Sequence, residues 1–235
     1  MTLSTSFRSW VRACPPVEHP EIRRMIGCRD ACAPAEVSFP AGVLRDALVA
    51  RWVREHSWAV DVRTVAELHS AISVGIHPVR MTVHADQLGS GGIRRASAAG
   101  VGGLVLSRRE QIATLRASRT HHVLLRMTDA TMRVSHNAVD AVIGCRSTVL
   151  VGLLCEVGTA GGCSAAVGDT LAEMARIRRR HNVVLTRLLV GLGDALPDAA
   201  GSSVVRRDLA EEIGESVDDA CAALRFPRPA VVMAA

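Results

Sequence analysis

The chain has 235 residues, of which 49% are hydrophobic, and a formal net charge of +5, so it is long and apolar enough to form one large α/β domain. It contains 28 arginines but no lysine and no tyrosine, which excludes any reaction that needs a Schiff base on a lysine of these residues. No apolar run approaches the roughly 18 residues that span a bilayer. The first residues also lack the continuous apolar segment of a secretory signal, so we expect a cytoplasmic protein without a membrane anchor.

Short apolar runs alternate with amphipathic stretches from residue 37 onward. We predict strands over residues 37–41, 58–62, 80–85, 103–107, 122–127, 149–154, 186–191 and 229–233. We predict helices over residues 44–56, 64–75, 90–100, 108–118, 136–146, 168–181 and 206–224. This alternation is typical of an α/β fold, a (β/α)8 TIM-type barrel without its last helix. A doubly wound open sheet remains the alternative. Residues 1–36 are predicted to be an irregular leader, and residues 37–235 a single barrel-like domain.

Basic residues and cysteines give weak functional signals. The densest basic run, residues 176–181, lies on a predicted helix that turns most of its arginines to water, so nucleic-acid binding is not expected. The seven cysteines lack paired CxxC spacing. Cys28 and Cys32, with His19, are a conceivable metal site, but the absence of a second ligand pair favours reduced structural thiols, and no metal is predicted.

Functional side chains of a barrel lie at the carboxyl ends of its strands. The stretch that follows the first predicted strand, residues 40–43, reads PAGV and offers no side chain for chemistry. The later strand ends carry Asp61, His84, Asp86, Ser107, Arg126, Cys155, Glu156 and the run 191–194. These ends supply acids, a histidine and an arginine, but no convincing nucleophile–base pair or metal triad.

Three motifs follow one another within residues 58–115. A DV-x-x-x-x-EL element runs from Asp61 to Leu68, a G-I-x-P element begins at Gly75, and a strand ending in a histidine and a polar loop covers residues 81–87. In this order they resemble the barrel domain of the fold-type III pyridoxal-phosphate decarboxylases, above all the diaminopimelate decarboxylases, with the ornithine and arginine decarboxylases as relatives. The resemblance implies a barrel of the alanine racemase and decarboxylase kind, here lacking the C-terminal β-domain.

The resemblance also implies where the family's defining lysine would stand. Counting back from Asp61 without a gap places the lysine that binds pyridoxal phosphate covalently at Gly42. The family's His-x-Gly-Ser motif reads Glu156-Val157-Gly158-Thr159, so a carboxylate replaces the histidine that stacks on the cofactor ring. Its phosphate-binding Gly-Gly-Gly reads Gly191-Leu192-Gly193, followed by the negative charge of Asp194.

The residues that resemble cofactor ligands are therefore a residual set without a catalytic member. The set is Asp61, His84, Arg126, Glu156, Gly158, Thr159, Gly191 and Gly193. Asp61 has an equally simple structural role, as a cap for the helix that follows its strand. The family's Glu-Pro-Gly-Arg motif and its second domain have no counterpart in these residues.

We accordingly expect a non-catalytic homologue of the amino-acid decarboxylases that acts by binding or interaction. No cofactor is expected. Two alternatives stay open, a non-covalent pyridoxal-phosphate carrier and a cofactor-independent enzyme that uses Asp61, His84, Arg126 and Glu156 as acids and bases. Self-association or a protein partner, such as a true decarboxylase, is expected because the last strand, without an eighth helix, should leave one face uncovered.

Overall fold

The computed structural model of the protein describes residues 19–127, 134–157, 162–192 and 203–234. These residues form a closed barrel of parallel strands that follow one another in chain order. The strands are β1 (Glu36–Pro40), β2 (Ala59–Val62), β3 (Met81–His84), β4 (Gly103–Leu106), β5 (His121–Arg126), β6 (Thr148–Glu156), β7 (Arg187–Gly191) and β8 (Ala230–Ala234). The helices are α1 (Pro20–Cys32), α2 (Ala47–Glu55), α3 (Val65–Ser73), α4 (Gly89–Ala99), α5 (Arg109–Ile112), α6 (His136–Gly144), α7 (Cys163–His181) and α8 (Ser203–Leu224).

The sheet closes on itself where the first strand meets the last. β1 pairs in parallel with β2 on one side and with β8 on the other, where Glu36 lies opposite Val232 and Ser38 opposite Ala234. This closure confirms the predicted (β/α)8 barrel and excludes the open doubly wound sheet. The strands also agree with their predicted boundaries to within two residues, because runs that are apolar on both faces mark strands covered by helices.

Side chains alternate between two hydrophobic clusters along the strands. Leu124 and Leu154 belong to a small cluster inside the barrel. Their neighbours on the same strands, such as Leu125 and Leu153, belong to the large cluster that packs the strands against the helices. Since side chains of a strand point alternately to opposite faces, residues 126 and 156 continue the interior rows of β5 and β6 at the mouth of the barrel.

Within the predicted irregular leader of residues 1–36, the stretch Pro20–Cys32 forms helix α1, whereas residues 1–18 lie outside the described residues. Pro20 stands in the first turn of α1, where its missing N–H costs nothing, and Glu21 is acidic where the helix dipole favours negative charge. One face of α1, formed by Ile22, Met25, Cys28, Ala31 and Cys32, is buried. The spacing of three and four residues between these buried positions is the sequence pattern that indicates a helix. The many polar residues between them made this pattern hard to recognise.

Helix α1 also overturns the expectation of an uncovered last strand. It packs against α8 on one side and α2 on the other, so it occupies the eighth position in the ring of helices. Val231 and Met233 of β8 are consequently buried, with 7% and 1% of their surface exposed. The apolar surface from which self-association was predicted is therefore covered within the chain itself.

Helices α5 and α7 differ most from their predicted extents, by five or more residues at one end. α5 spans only Arg109–Ile112 instead of residues 108–118. Its continuation is replaced by side-chain bonds, since Thr114 Oγ1 donates to the carbonyl of Gln111 and the Arg116 N–H donates to Ser97 Oγ. α7 starts at Cys163, five residues before its predicted start. None of the helices described combines the length and the apolar character that a membrane span requires.

Candidate functional site at the barrel mouth

The carboxyl ends of four strands place ionisable side chains in one interior layer. Asp61 lies near the end of β2, and His84, Arg126 and Glu156 are the last residues of β3, β5 and β6. Each has the interior position in the two-residue alternation of its strand. The predicted candidates of these four strands thus converge at the mouth, as the parallel order of the strands requires.

His84 lies at the centre of this layer, between the carboxylate of Asp61 and the guanidinium of Arg126. Its Nε2 is 2.8 Å from Asp61 Oδ1, and its Nδ1 is 3.0 Å from Arg126 Nη2. Because a guanidinium can only donate, Nδ1 must accept, and the ring proton therefore sits on Nε2 and is donated to Asp61. This hydrogen-bond pattern assigns a neutral imidazole to His84. Both side chains are buried, since His84 has 3% of its surface exposed and Asp61 has 2%.

Arg126 is engaged on three sides. Beside its bond to His84, its Nη1 donates to Glu156 Oε1 at 2.8 Å. Its Nε lies 3.2 Å from Asp86 Oδ2, an ion pair without hydrogen-bond alignment. Each of the three guanidinium nitrogens therefore contacts a protein group, so a planar fork that commonly binds phosphate or carboxylate ligands is engaged within the protein.

Asp86, which follows β3, connects the network to Ser107, which follows β4. Its Oδ1 accepts hydrogen bonds from Ser107 Oγ and, at 3.1 Å, from Gln111 Nε2. Burial raises the pKa of Asp86, but the bonds from Ser107 and Gln111 and the charge of Arg126 outweigh it and leave the pKa below its usual value. Asp86 is consequently a fixed anion. Gln111 was not among the predicted site residues, since nothing in its local sequence sets it apart from a surface helix.

The position assigned to the family lysine is empty. Gly42 lies in the short 3-10 helix Ala41–Arg45 that follows β1. A Cβ added there would meet nothing within 4 Å. A side chain could therefore begin at this position without a clash at its Cβ, and none of the described side chains provides an amine in its place.

Glu156 lies against β7 as well as against Arg126. Gly191, the last residue of β7, pairs with Glu156 across the two strands. A Cβ added at Gly191 would collide with the Glu156 carboxylate. The absence of a side chain at Gly191 thus leaves room for the Glu156 carboxylate against the β7 backbone.

The role of Asp61 as a helix cap, the structural alternative, is not realised. Thr64 caps α3 instead, in a capping box in which its Oγ1 accepts from the Glu67 N–H and the Glu67 carboxylate accepts from the Thr64 N–H. Asp61 binds His84 and, at 3.3 Å, Arg63 Nε. Arg63 was also missed by the sequence analysis. The remaining candidates, Gly158, Thr159 and Gly193, lie outside the described residues, as does Asp194.

The mouth does not fit a covalently bound pyridoxal phosphate. Gly42 provides no amine, and Glu156 takes the place of an aromatic ring. The described network contains three carboxylates, those of Asp61, Asp86 and Glu156, against two guanidinium groups and a neutral imidazole. This excess negative charge opposes a phosphate dianion. The described residues also contain no group of three or more His, Cys, Asp or Glu side chains that could hold a metal ion.

Comparison with known proteins gives the relatives of this chain. Residues 21–148, more than half of the chain, match the family described as the pyridoxal-dependent decarboxylase, pyridoxal binding domain. The chain is similar to the diaminopimelate decarboxylase of Actinosynnema pretiosum subsp. auranticum, with 28% identity over 86% of this chain and 52% of that protein. It is 25% identical to the diaminopimelate decarboxylase of Mycobacterium bovis, over 74% of this chain and 38% of that protein.

Solved structures show the same fold at lower identity. The lysine/ornithine decarboxylase of Vibrio vulnificus, solved with putrescine, superposes with a TM-score of 0.72 at 16% identity, over 90% of this chain and 59% of that one. The diaminopimelate decarboxylase of Helicobacter pylori, solved with L-lysine, gives 0.70 at 12% identity, over 92% and 60%. The chain spans between 31% and 53% of the length of the curated relatives it matches. The closed barrel and the match over residues 21–148 together show that this chain belongs to the family of pyridoxal-dependent decarboxylases, through its pyridoxal-binding barrel domain.

Proposed function

We propose that this chain is a non-catalytic member of the decarboxylase family, whose barrel mouth is closed by ion pairs and which acts through binding. The observation that carries the proposal is the engagement of Arg126 by His84, Glu156 and Asp86. Such a network fixes the side chains that a substrate or cofactor would need to recruit. The glycine at position 42 supports the same conclusion, because the covalent step of the family has no amine there.

A cofactor-independent enzyme is less well supported. The four candidate side chains converge, which is the necessary condition for acid–base chemistry. However, a general base needs a free lone pair and a general acid a free proton within reach of the substrate. The Nδ1 lone pair of His84 is taken by Arg126 and its Nε2 proton by Asp61. Only the partly exposed Glu156 keeps an oxygen without a described hydrogen bond.

A protein partner is proposed because Arg126, the cation that an anionic ligand would need at the mouth, is already engaged by described side chains. Self-association, or association with a true decarboxylase, is the form expected from the family. Leu48 and Val79, with 62% and 61% of their surface exposed, are the most exposed large apolar side chains among the described residues and so the first positions to substitute in a test of association. Light scattering coupled to size exclusion tests self-association, and adding a purified diaminopimelate decarboxylase tests the mixed complex. A cytoplasmic location is proposed as well, and cell fractionation tests it.

The test of the proposed function is a titration with pyridoxal phosphate. Trp52 and Trp58 stand in the last turn of α2 and just before β2, at the amino end of that strand. Equilibrium dialysis therefore accompanies the fluorescence titration as a readout that does not depend on the distance between these tryptophans and the mouth. We expect no saturable quenching up to about 1 mM cofactor, which corresponds to a binding free energy weaker than about 4 kcal/mol. Inorganic phosphate is the control that separates ring recognition from anion binding. Saturable quenching at micromolar pyridoxal phosphate would instead support the non-covalent carrier.

A further inference from the structure

A cavity opens between the C-terminal ends of α7 and α8, at the end of the barrel opposite to its mouth. In a barrel each helix ends beside the amino end of the next strand, so α7 and α8 end beside the beginnings of β7 and β8. The cavity has a volume of about 420 Å³, and its polar lining consists of Arg178, Arg179, Asn182 and Arg225. Three arginines, two of them from the basic run 176–181, therefore share one cavity.

The cavity arginines, Arg178, Arg179 and Arg225, have no acidic partner among the described residues. Three arginines close to them in sequence are each paired with an acid, namely Arg176 with Glu173, Arg180 with Asp140, and Arg228 with Asp218. No comparable ion pair joins a carboxylate of the described ranges to a cavity arginine. The acids at this end of the barrel are therefore bound by other bases, and the charges in the cavity are left without a counter-charge from the described part of the chain.

Arg225 stands in a backbone conformation that favours glycine. It directly follows α8, and its φ of 48° lies in the left-handed region, where a β-carbon is unfavourable. The Phe226 N–H donates to the carbonyl of Cys221, which closes the helix in a way that usually places glycine at the position of Arg225. The last turn of α8 contains no basic residue, so a base there could meet the helix dipole without this conformation. The Arg225 side chain is therefore present at a cost to the backbone.

Hydrogen bonds hold the walls of the cavity in place. Arg178 Nη1 donates to the carbonyl of Arg225 at 3.1 Å, which ties the end of α7 to the end of α8. The Asn182 N–H donates to the carbonyl of Arg178 and so ends α7. Phe226, with 5% of its surface exposed, lines the cavity and anchors this segment in the core. A ligand therefore meets a site whose backbone is already ordered, which lowers the cost of binding.

The charges around the cavity favour an anion. A helix C-terminus acts as about half a negative elementary charge, so the ends of α7 and α8 together contribute about one negative charge. The three guanidinium groups that line the cavity contribute three positive charges, because arginine stays protonated in proteins. About two positive charges therefore remain after the two helix dipoles are counted.

We propose that this cavity binds a small molecule with linked phosphate groups, such as a diphosphate, held by the three cavity arginines. The planar fork of a guanidinium matches the oxygens of a phosphate group with two parallel N–H bonds. Sites for small molecules have volumes of about 300–1,000 Å³. The cavity, at about 420 Å³, lies in this range and has room for more than one phosphate group. The site is separate from the barrel mouth, so the proposal does not depend on whether the mouth is closed.

Equilibrium dialysis of the full chain with radiolabelled inorganic pyrophosphate tests the proposal. At low ionic strength we expect saturable binding of one pyrophosphate per chain with a Kd in the micromolar range. The affinity should fall as sodium chloride is added, because salt screens exposed charges. Inorganic phosphate, which engages fewer of the guanidinium groups, should bind about tenfold more weakly. A lack of saturable binding up to about 1 mM pyrophosphate would overturn the proposal.

Substitutions separate the cavity from general attraction to a basic surface. Arg225→Gly should weaken pyrophosphate binding about tenfold, because a charged hydrogen-bond donor is lost. Its Tm should equal or exceed that of the wild-type protein, since glycine suits the left-handed backbone, so the loss of binding cannot come from unfolding. Arg179→Gln should weaken binding to a similar degree.

Arg180→Gln is the matched control for Arg179→Gln. Arg180 is the next residue on α7, but it does not line the cavity and it pairs with Asp140. Its loss removes the same charge from the same helix, so the affinity should stay within about twofold of wild type. Equal losses in Arg179→Gln and Arg180→Gln would mean that pyrophosphate responds only to the net charge of the surface, and would overturn the proposal.

Further ligands identify the source of the phosphate groups. Tighter binding of ADP than of pyrophosphate would assign the cavity to nucleotides, and equal or weaker binding of ADP would assign it to other diphosphates, both in support of the proposal. A short DNA duplex is the competing ligand, because exposed arginines also bind the phosphates of nucleic acids. If the duplex bound more tightly than pyrophosphate and lost affinity in Arg225→Gly, the cavity would be a nucleic-acid contact and the proposal would be overturned.

Discussion

Removing Arg126 should destabilise the barrel measurably, because three side chains of the mouth depend on it. In Arg126→Met the carboxylates of Glu156 and Asp86 lose their cation and His84 Nδ1 loses its donor. Methionine keeps most of the apolar stem, so the loss of charge and hydrogen bonds dominates the effect. The substitution therefore measures what the network contributes to the folded state.

The expected magnitude follows from the exposure of the ion pairs. Exposed pairs contribute about 0–1 kcal/mol, and breaking a fully buried pair costs about 3–5 kcal/mol. The side chains of Arg126, Glu156 and Asp86 are 28%, 26% and 30% exposed, which places them between these limits. We expect a loss of about 2–3 kcal/mol, which corresponds to a fall in Tm of about 4–12 °C for a domain of this size.

Thermal unfolding followed by circular dichroism is the assay, and Arg51→Met is the control. The side chain of Arg51 is 68% exposed and forms an ion pair with Glu55, which is 48% exposed, on helix α2. The loss of this pair should cost less than about 1 kcal/mol. A Tm of Arg126→Met within 2 °C of wild type, or a larger fall for Arg51→Met, would refute the reasoning that Arg126 holds the mouth together.

Three further predictions concern the same layer. Gly191→Ala should lower the free energy of unfolding by about 1–2 kcal/mol, because the added Cβ displaces the Glu156 carboxylate. In a Glu156→Ala background the same substitution should cost less than half as much, and a double-mutant cycle measures this difference. Gly42→Lys should change the free energy of unfolding by less than about 1 kcal/mol, whereas Gly102→Ala, whose Cβ meets a backbone carbonyl, should cost more. Because the pKa of Asp86 is lowered in the folded state, its carboxylate stabilises the fold fully above about pH 5. This contribution is lost as the pH falls through the pKa that Asp86 has in the folded protein. Denaturation of wild type and Asp86→Asn should therefore differ at neutral pH and converge in acid.

The positions of the site residues follow from sequence, but their pairing does not. Parallel strands end at one edge of a sheet and side chains alternate along each strand, so the strand-end positions of Asp61, His84 and Glu156 were sufficient to predict that they meet. The choice of the acid that binds Arg126 depends on side-chain torsion angles and on neighbours such as Gln111, which come from elements far apart in sequence. A local sequence pattern predicts neither the torsion angles nor these neighbours.

The same limit explains the error at the beginning of the chain. Helix α1 has a narrow apolar face, and its burial is decided by α8, which lies nearly 200 residues further along. Local periodicity is a weak indicator when tertiary packing supplies most of the stability of a helix. The capping box of α3 shows the opposite case, because Thr64 and Glu67 satisfy each other within one turn and are readable from sequence alone.

The most direct test of a closed mouth is covalent trapping of pyridoxal phosphate by Gly42→Lys. The variant restores the family's amine at its implied position and contains the sole lysine of the chain, so an adduct reduced with borohydride is located unambiguously by mass spectrometry. Gly144→Lys is the control for adventitious reaction, because an added Cβ also meets nothing within 4 Å at Gly144, the last residue of α6. With equimolar cofactor, we expect no more adduct in Gly42→Lys than in this control, because Arg126 and Glu156 still close the mouth. Stoichiometric adduct in Gly42→Lys alone would show that the mouth is an open cofactor site that lacks only its lysine, and would contradict the account.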